Sequence, residues 1–233
     1  MTTALVTGGN KGIGLQTVRE LAADGWTVFL GSRDTDRGKQ AAAELAGDVR
    51  VVALDVTSDE SVAAAADAVA AAVPALDVLV NNAGITGGRR QPLETAPADF
   101  LAAYGVNLLG PVRVTRAFLP LLRRSTAPRV VNVSSGMGSH GLVSDPSRVE
   151  SQLVSLVYPS SKSALNMVTV MYAKALPEFR VNAVDPGYTA TDLNGHRGTQ
   201  TVEQGAAPVI RAARIGPDGP TGTFLGADGP VPW

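Results

Sequence analysis

The sequence predicts an α/β fold in which one doubly wound parallel sheet of about seven strands lies between two layers of helices. Three observations support this. Short β-branched runs alternate with longer helical patterns, the order expected of a parallel sheet with crossover helices. The runs are almost continuously apolar, as in Val78, Leu79 and Val80 or Val130, Val131 and Val133, which suits strands covered on both faces. The first run leads at once into a glycine cluster and then a helix.

Strands are expected over residues 4–7, 27–30, 49–55, 76–81, 129–134 and 181–185, with a last short one at Phe224–Gly226. Helices are expected over residues 13–24, 35–46, 58–73, 99–124, 158–175 and 201–214. The third helix opens on Ser58, with Glu60 and Ser61 in its first turn, and stops before Pro74. No linker, repeat or low-complexity tract interrupts the series, so residues 1–233 read as one domain.

Composition narrows the function. Hydrophobic residues make up 45% of the chain and charged ones 18%, enough apolar material for a packed core. A net charge of −1 argues against nucleic-acid binding through a general basic face. There is no Cys, and the only His are His140 and His196, which excludes disulfides, thiol chemistry and a His-rich metal centre. No basic leader precedes a long apolar stretch, and no window is apolar enough to span a bilayer. A cytoplasmic protein without membrane contact is therefore expected.

Between the first strand and the first helix stands Thr7-Gly8-Gly9-Asn10-Lys11-Gly12-Ile13-Gly14. A dinucleotide pyrophosphate needs a tight turn, close backbone approach and free amides at a helix N-terminus, and glycines here supply all three. The spacing is Gly-x3-Gly-x-Gly, which departs from the general Gly-x-Gly-x-x-Gly fingerprint. Together with Asn81-Asn82-Ala83-Gly84 after the fourth strand and Asp55 after the third, it resembles the short-chain dehydrogenase/reductase family. The resemblance covers nearly the whole chain, from Thr7 to residue 230. It implies a Rossmann fold and a nicotinamide cofactor held by Gly8, Asn10, Lys11, Gly12, Ile13, Gly14, Asp55, Val56, Asn82, Ala83 and Gly84.

An acidic residue ending the second strand would bind the ribose hydroxyls of NAD, whereas a basic one would pair the 2′-phosphate of NADP. Here Ser32 stands where NAD-preferring relatives usually carry Asp, and Arg33 follows it. Lys11 matches the second cation of NADP-preferring relatives. NADPH is expected over NADH, with a guanidinium–phosphate pair at Arg33. The competing reading is that Asp34 neutralises Arg33.

Tyr158-Pro159-Ser160-Ser161-Lys162 places Tyr158 and Lys162 one turn apart on the same helix face, with Pro159 tolerated in the first turn. The ammonium is expected to lower the phenol's ionisation from its ordinary value of about 10, making it a usable acid and base. The resemblance identifies this pair with the family's active site. It adds Ser135, at the end of the fifth strand, as the carbonyl-orienting hydroxyl. It also adds Asn107, inside the 99–124 helix, as a fourth catalytic residue positioning a water that feeds protons to Lys162. Tyr158 and Lys162 would also touch the cofactor. Pro186, Gly187, Thr189 and Thr191 match the family's Pro-Gly motif on the carboxamide side.

Ser135 and Tyr158 are 23 positions apart, more than is usual in the family. The extra segment resembles a short form of the insertion in carbonyl-reductase-like members. It would shape the substrate pocket or shield a helix face used for assembly, which leaves both a homo-oligomer and a monomer open. Residues 136–157 and 188–200 are the expected substrate-shaping segments, with Ser135, Met137, Val143, Tyr188 and Leu193 as candidate substrate contacts. The expected activity is reversible NADPH-dependent reduction of a small-molecule ketone or aldehyde to an alcohol. One alternative is a 3-oxoacyl-thioester reductase, with Arg89 and Arg90 as its basic patch. The other is a non-catalytic NADP-sensing module.

Overall fold

The computed structural model describes residues 1–88 and 90–233; Arg89 lies outside the described residues. Eight strands form one sheet: β1 (Thr3–Thr7), β2 (Thr27–Ser32), β3 (Asp48–Ala53), β4 (Val78–Asn81), β5 (Arg129–Val133), β6 (Arg180–Val184), β7 (Phe224–Gly226) and β8 (Gly229–Pro230). Their order is β3-β2-β1-β4-β5-β6-β7-β8. The first seven are parallel, while β8 pairs antiparallel with β7. All seven expected strands are present; the eighth, β8, has only two residues behind the Ala227–Asp228 turn and so no periodicity to reveal it. Asp55 lies two residues beyond the end of β3 rather than within it.

The helices are α1 (Gly12–Ala23), α2 (Thr35–Ala43), α3 (Asp59–Ala72), α4 (Pro97–Tyr104), α5 (Gly110–Leu122), the short α6 (His140–Val143), α7 (Val157–Ala175) and α8 (Val202–Ala213). Ser58 caps α3 as its sequence suggests, accepting the amide of Ser61 at 3.1 Å.

The single helix expected over residues 99–124 is broken. A π-helical turn at Gly105–Leu109 separates α4 from α5. Pro111 has no N–H to give to the carbonyl of Asn107, so the α-helical ladder cannot continue there. Instead the Gly110 amide reaches back five residues to the Gly105 carbonyl. The apolar pattern runs through the break, which hid it. Such turns often serve to re-aim a side chain at a functional site.

Alternate strand residues face two cores. Leu5, Phe29, Leu79, Val130 and Val181 pack with Val62, Val114 and Phe118 of α3 and α5. Val6, Leu30, Val80, Val131 and Val184 pack with Val18, Leu21, Val209 and Ile210 of α1 and α8. A buried polar strip crosses the centre: Asn81 Nδ2 donates to Thr115 Oγ1 (3.2 Å) and Asn132 Oδ1 (2.9 Å), and Asn132 Nδ2 donates to Thr169 Oγ1 (2.9 Å). The C-terminus folds back on α6, where Ser139 Oγ donates to the Pro232 carbonyl and the Gly141 amide to that of Trp233. Among the described residues no helix is long and apolar enough to cross a membrane.

Phe118 is fully buried in the first core. Phe118→Ala should lower unfolding stability by about 3–5 kcal/mol in urea titrations, with the slope of the transition unchanged.

Candidate active site

A doubly wound sheet leaves a crevice at the carboxyl ends of its strands where the order reverses, here between β1 and β4. Beyond Thr7 the chain turns through Gly8 and Gly12, whose φ values of 63° and 55° lie in the left-handed region that strains a side chain. Asn82, just past β4, clamps this turn. Its Nδ2 donates to the carbonyls of Thr7 (2.9 Å) and Gly8 (3.2 Å), while the Thr7 hydroxyl accepts the amides of Asn82 (2.9 Å) and Ala83 (3.0 Å). A Cβ on Gly14 would run into the Gly8 carbonyl and the Asn82 amide. Helix α1 starts with neither a side-chain cap nor an acidic residue in its first turn, so its free amides and positive dipole end are left to an anion.

A cleft of about 630 Å³ opens over this edge. Gly8, Asn10, Lys11, Gly12, Ile13, Gly14, Arg33, Asp55, Val56, Asn82, Ala83, Gly84, Tyr158, Lys162, Pro186 and Thr191 line it, whereas Gly187 and Thr189 do not. The Thr189 side chain is buried against Gly205, with its hydroxyl donating to the Pro186 carbonyl at 3.1 Å. Of the candidate substrate contacts only Leu193 lines the cleft; Ser135, Met137 and Val143 are half-buried and Tyr188 is exposed, all outside that lining.

The two expected phosphate cations differ in their surroundings. Arg33 has no carboxylate within ion-pair distance among the described residues, because Asp34 is used elsewhere. Asp34 caps α2 through the amides of Asp36 and Arg37 (both 3.1 Å) and pairs with the Arg37 guanidinium at 3.2 Å. Lys11, by contrast, is engaged. Its ammonium pairs with Asp192 at 2.8 Å, and Asp192 also meets His196 at 2.9 Å. No sequence motif marked Asp192 or His196, yet both line the cleft.

At the other end of the cleft stand the groups expected to be catalytic. Lys162 is 4% exposed; its Nζ donates to the Val133 carbonyl at 2.8 Å and stands 5.7 Å from the centre of the Tyr158 ring. The Ser135 hydroxyl accepts the Met137 amide at 3.2 Å and lies close enough to the Tyr158 hydroxyl to favour its ionised form. The turn after Ser135 is docked on α7: the Gly138 carbonyl accepts from Ser163 Oγ (2.9 Å) and Asn166 Nδ2 (3.1 Å). A Cβ on Gly138 would come within 2.7 Å of the Lys162 backbone. From the π turn, Asn107 Oδ1 accepts the Ile85 amide (2.9 Å), and its Nδ2 donates to the Ile85 carbonyl (2.8 Å) and Ser161 Oγ (3.0 Å). Asn107 Oδ1 and Lys162 Nζ flank Gly84.

The expected lowering of the Tyr158 pKa is corrected. Burial pushes the phenol up to about 12; the hydrogen bond from Ser135 opposes the rise and the charge of Asp185 adds to it. Burial also pushes Lys162 down to about 8, its ammonium turned towards the Val133 carbonyl. Loss of solvation outweighs the ammonium's attraction for a phenolate. Ser161, inside the 158–162 stretch, and Asp185, at the end of the expected sixth strand, carry parts of the site that spacing alone did not assign to them.

Residues 2–201 match the family model described as short chain dehydrogenase, so the chain belongs to that family of oxidoreductases. It is 34% identical to (+)-neomenthol dehydrogenase of Arabidopsis thaliana over 95% of each chain. Its structure superposes on salutaridine reductase from Papaver somniferum with a TM-score of 0.83 at 30% identity, covering 96% of this chain and 99% of that one. It superposes on the NADPH-bound carbonyl reductase from chicken fatty liver with a TM-score of 0.86 at 26% identity, covering 100% and 99%.

Between about pH 8 and its ordinary 10.5, Lys162 binds fewer protons folded than unfolded, so its contribution to stability rises with pH across that window. Tyr158 binds more protons folded between 10 and about 12, so its contribution falls there. Thermal unfolding followed from about pH 7 to 10 should show the wild type gaining on Lys162→Met; parallel curves would contradict this.

Proposed function

We propose that the protein is an NADP(H)-dependent reductase that converts a ketone or aldehyde to the alcohol, reversibly. The observation that carries this reading is the meeting of Tyr158 and Lys162 at the end of a glycine-lined cleft, with Ser135 beside Tyr158 just behind the lining. Arg33, with no carboxylate partner among the described residues, favours a 2′-phosphate over a bare ribose diol. The chicken carbonyl reductase of the same fold is NADPH-bound, and the relatives named above are dehydrogenases or reductases.

The residues present fit the cofactor: uncapped amides of α1 for the pyrophosphate, Arg33 for the 2′-phosphate, and Tyr158 and Lys162 for the nicotinamide ribose. When bound, NADPH supplies the hydride that adds to the carbonyl carbon. Tyr158 gives its hydroxyl proton to the carbonyl oxygen, and its raised pKa keeps that proton in place at neutral pH. The Ser135 hydroxyl donates a hydrogen bond to the same oxygen and holds it within reach of Tyr158. Lys162 binds and orients from the buried side, anchored on Val133. Asn107 is a positioning residue: it ties the backbone of Ile85 to Ser161, and so the loop after β4 to the first turn of α7. In the reverse direction Tyr158 accepts the proton.

Leu193 lines the substrate end of the cleft, and residues 136–157 and 188–200 supply specificity. The oxoacyl-thioester alternative gains no support, since Arg90 is tied to Asp99 at 3.1 Å and Arg89 lies outside the described residues.

NADPH oxidation against a panel of ketones and aldehydes, with NADH as control, tests the reading directly. Tyr158→Phe should cut turnover by about 10²–10⁴-fold while weakening NADPH binding, through the lost ribose contact, by no more than about tenfold. Turnover retained by that variant would refute the assigned acid. Arg33→Ala should raise KM for NADPH by about 10- to 100-fold and leave that for NADH unchanged, measured from initial rates.

A further inference from the structure

The reaction above draws on the half of the cleft over β4, β5 and β6. A doubly wound sheet takes one mononucleotide on each side of its switch point, so the adenosine of the cofactor belongs over β1, β2 and β3. Arg33, set against the 2′-phosphate, directly follows β2, which puts the base over the loop that leaves the neighbouring β3. Leu54, Asp55, Val56 and Thr57 of that loop all line the cleft.

The loop is held from three sides. On the β2 side, the Ser32 carbonyl accepts the Leu54 amide at 3.0 Å. On the α3 side, the Ser61 hydroxyl accepts the Asp55 amide at 2.9 Å, and Asp55 Oδ1 takes the amide (2.9 Å) and the hydroxyl (2.7 Å) of Thr57. On the α5 side, Arg113 Nη1 donates to the Val56 carbonyl at 2.7 Å, while its Nε meets Oδ1 of Asp59 at the start of α3. Among the described residues no backbone amide outside the regular helices and strands takes the Val56 carbonyl, so Arg113 sets its direction.

The two contacts of the guanidinium differ in weight. Asp59 is 88% exposed, so solvent screens that ion pair and it contributes little. The Arg113 side chain is only 22% exposed, and a charged donor on a part-buried carbonyl makes the stronger bond. The first turn of α5 also lies directly against Val56. A Cβ on Gly110 would come within 3.0 Å of Val56 Cγ2, and Val56 shares a core with Val114. Arg113 stands outside the lining of the cleft, so it reaches the loop from behind.

We infer that Arg113 is a positioning residue for the adenosine half of NADP(H): its bond to the Val56 carbonyl fixes the loop after β3 in the shape that receives the base. The inference rests on the NADP(H) reading of the cleft. Without that bond the loop samples more conformations, and binding has to order it, which weakens affinity. The loss falls on every cofactor that carries adenosine, with or without the 2′-phosphate. The hydride step is spared, because Tyr158 and Lys162 stand on α7, over the other half of the sheet.

Calorimetric titration of the whole protein with adenosine 2′,5′-bisphosphate, the adenosine half of NADP, tests this without turnover. Arg113→Met should weaken binding by about tenfold, and Arg113→Lys, which keeps a charged donor, should recover part of the loss. Asp59→Asn removes only the exposed partner and should change affinity by no more than about twofold. In initial-rate measurements Arg113→Met should raise KM for NADPH and for NADH alike by about tenfold with kcat retained, unlike Arg33→Ala, which acts on NADPH alone. Reduced nicotinamide mononucleotide, which lacks the adenosine, should support equal rates in Arg113→Met and wild type. Circular dichroism checks that each variant folds, and Arg113→Lys carries the test if Arg113→Met does not. Wild-type affinity for the bisphosphate in the folded Arg113 variants, or an equal loss with the mononucleotide, would overturn the inference. A loss in Asp59→Asn as large as that in Arg113→Met would overturn the part given to the Val56 carbonyl. A wild type that binds neither NADPH nor the bisphosphate would sink the NADP(H) reading and the inference together. Expected calorimetric losses in a protein that reduces no carbonyl would sink the reductase reading and leave Arg113 in its role.

Discussion

Asn82 holds the glycine turn open, and the rest of the cleft is arranged around that grip. Its amide spans two consecutive carbonyls of the turn while Thr7 takes up the first two amides beyond β4. The clamp works only because β1 and β4 are sheet neighbours, which places residues 75 positions apart within hydrogen-bond distance. With the turn's carbonyls held by Asn82, the amides of α1 stay free for a phosphate. Removing the clamp would leave half-buried carbonyls unpaired, a cost of about 1–3 kcal/mol each, concentrated where the cofactor must fit.

Irregular backbone places the proposed catalytic groups. The π turn at Gly105–Leu109 turns Asn107 towards Ile85 and Ser161, whereas an unbroken helix would carry that residue in a different register. Gly138 allows the turn after β5 to lie directly on α7, fixing Ser135 beside Tyr158. In both places a residue with a backbone peculiarity, Pro111 or a glycine, sits next to one with chemistry.

At the other end of the cleft Lys162 is buried and Tyr158 and Asp185 are half-buried, and the electrostatics follow from that. Burial favours the neutral form of every group it touches: it lowers Lys162, raises Tyr158 and raises Asp185. The phosphate end is wetter. There Lys11, Asp192 and His196 form exposed pairs that solvent screens, worth little to stability and free to exchange partners.

Seven strands and most helices were legible in the sequence because the signals are local: apolar runs, glycine turns and a Ser cap need only neighbouring residues. The motifs Thr7–Gly14, residues 81–84 and residues 158–162 were legible for the same reason, each being a short piece of backbone with one task. The two-residue β8 carried no pattern, and the break at Pro111 was masked by apolar residues that continue through it. The partner of Lys11, the upward shift of Tyr158 and the hold of Arg113 on the Val56 carbonyl were not legible at all. The sequence by itself determined which chemical groups are present and which local turns hold them. Only the tertiary structure decided how far apart those groups stand and how much water reaches them, because desolvation and Coulomb energy depend on distances in space that the order of residues does not contain.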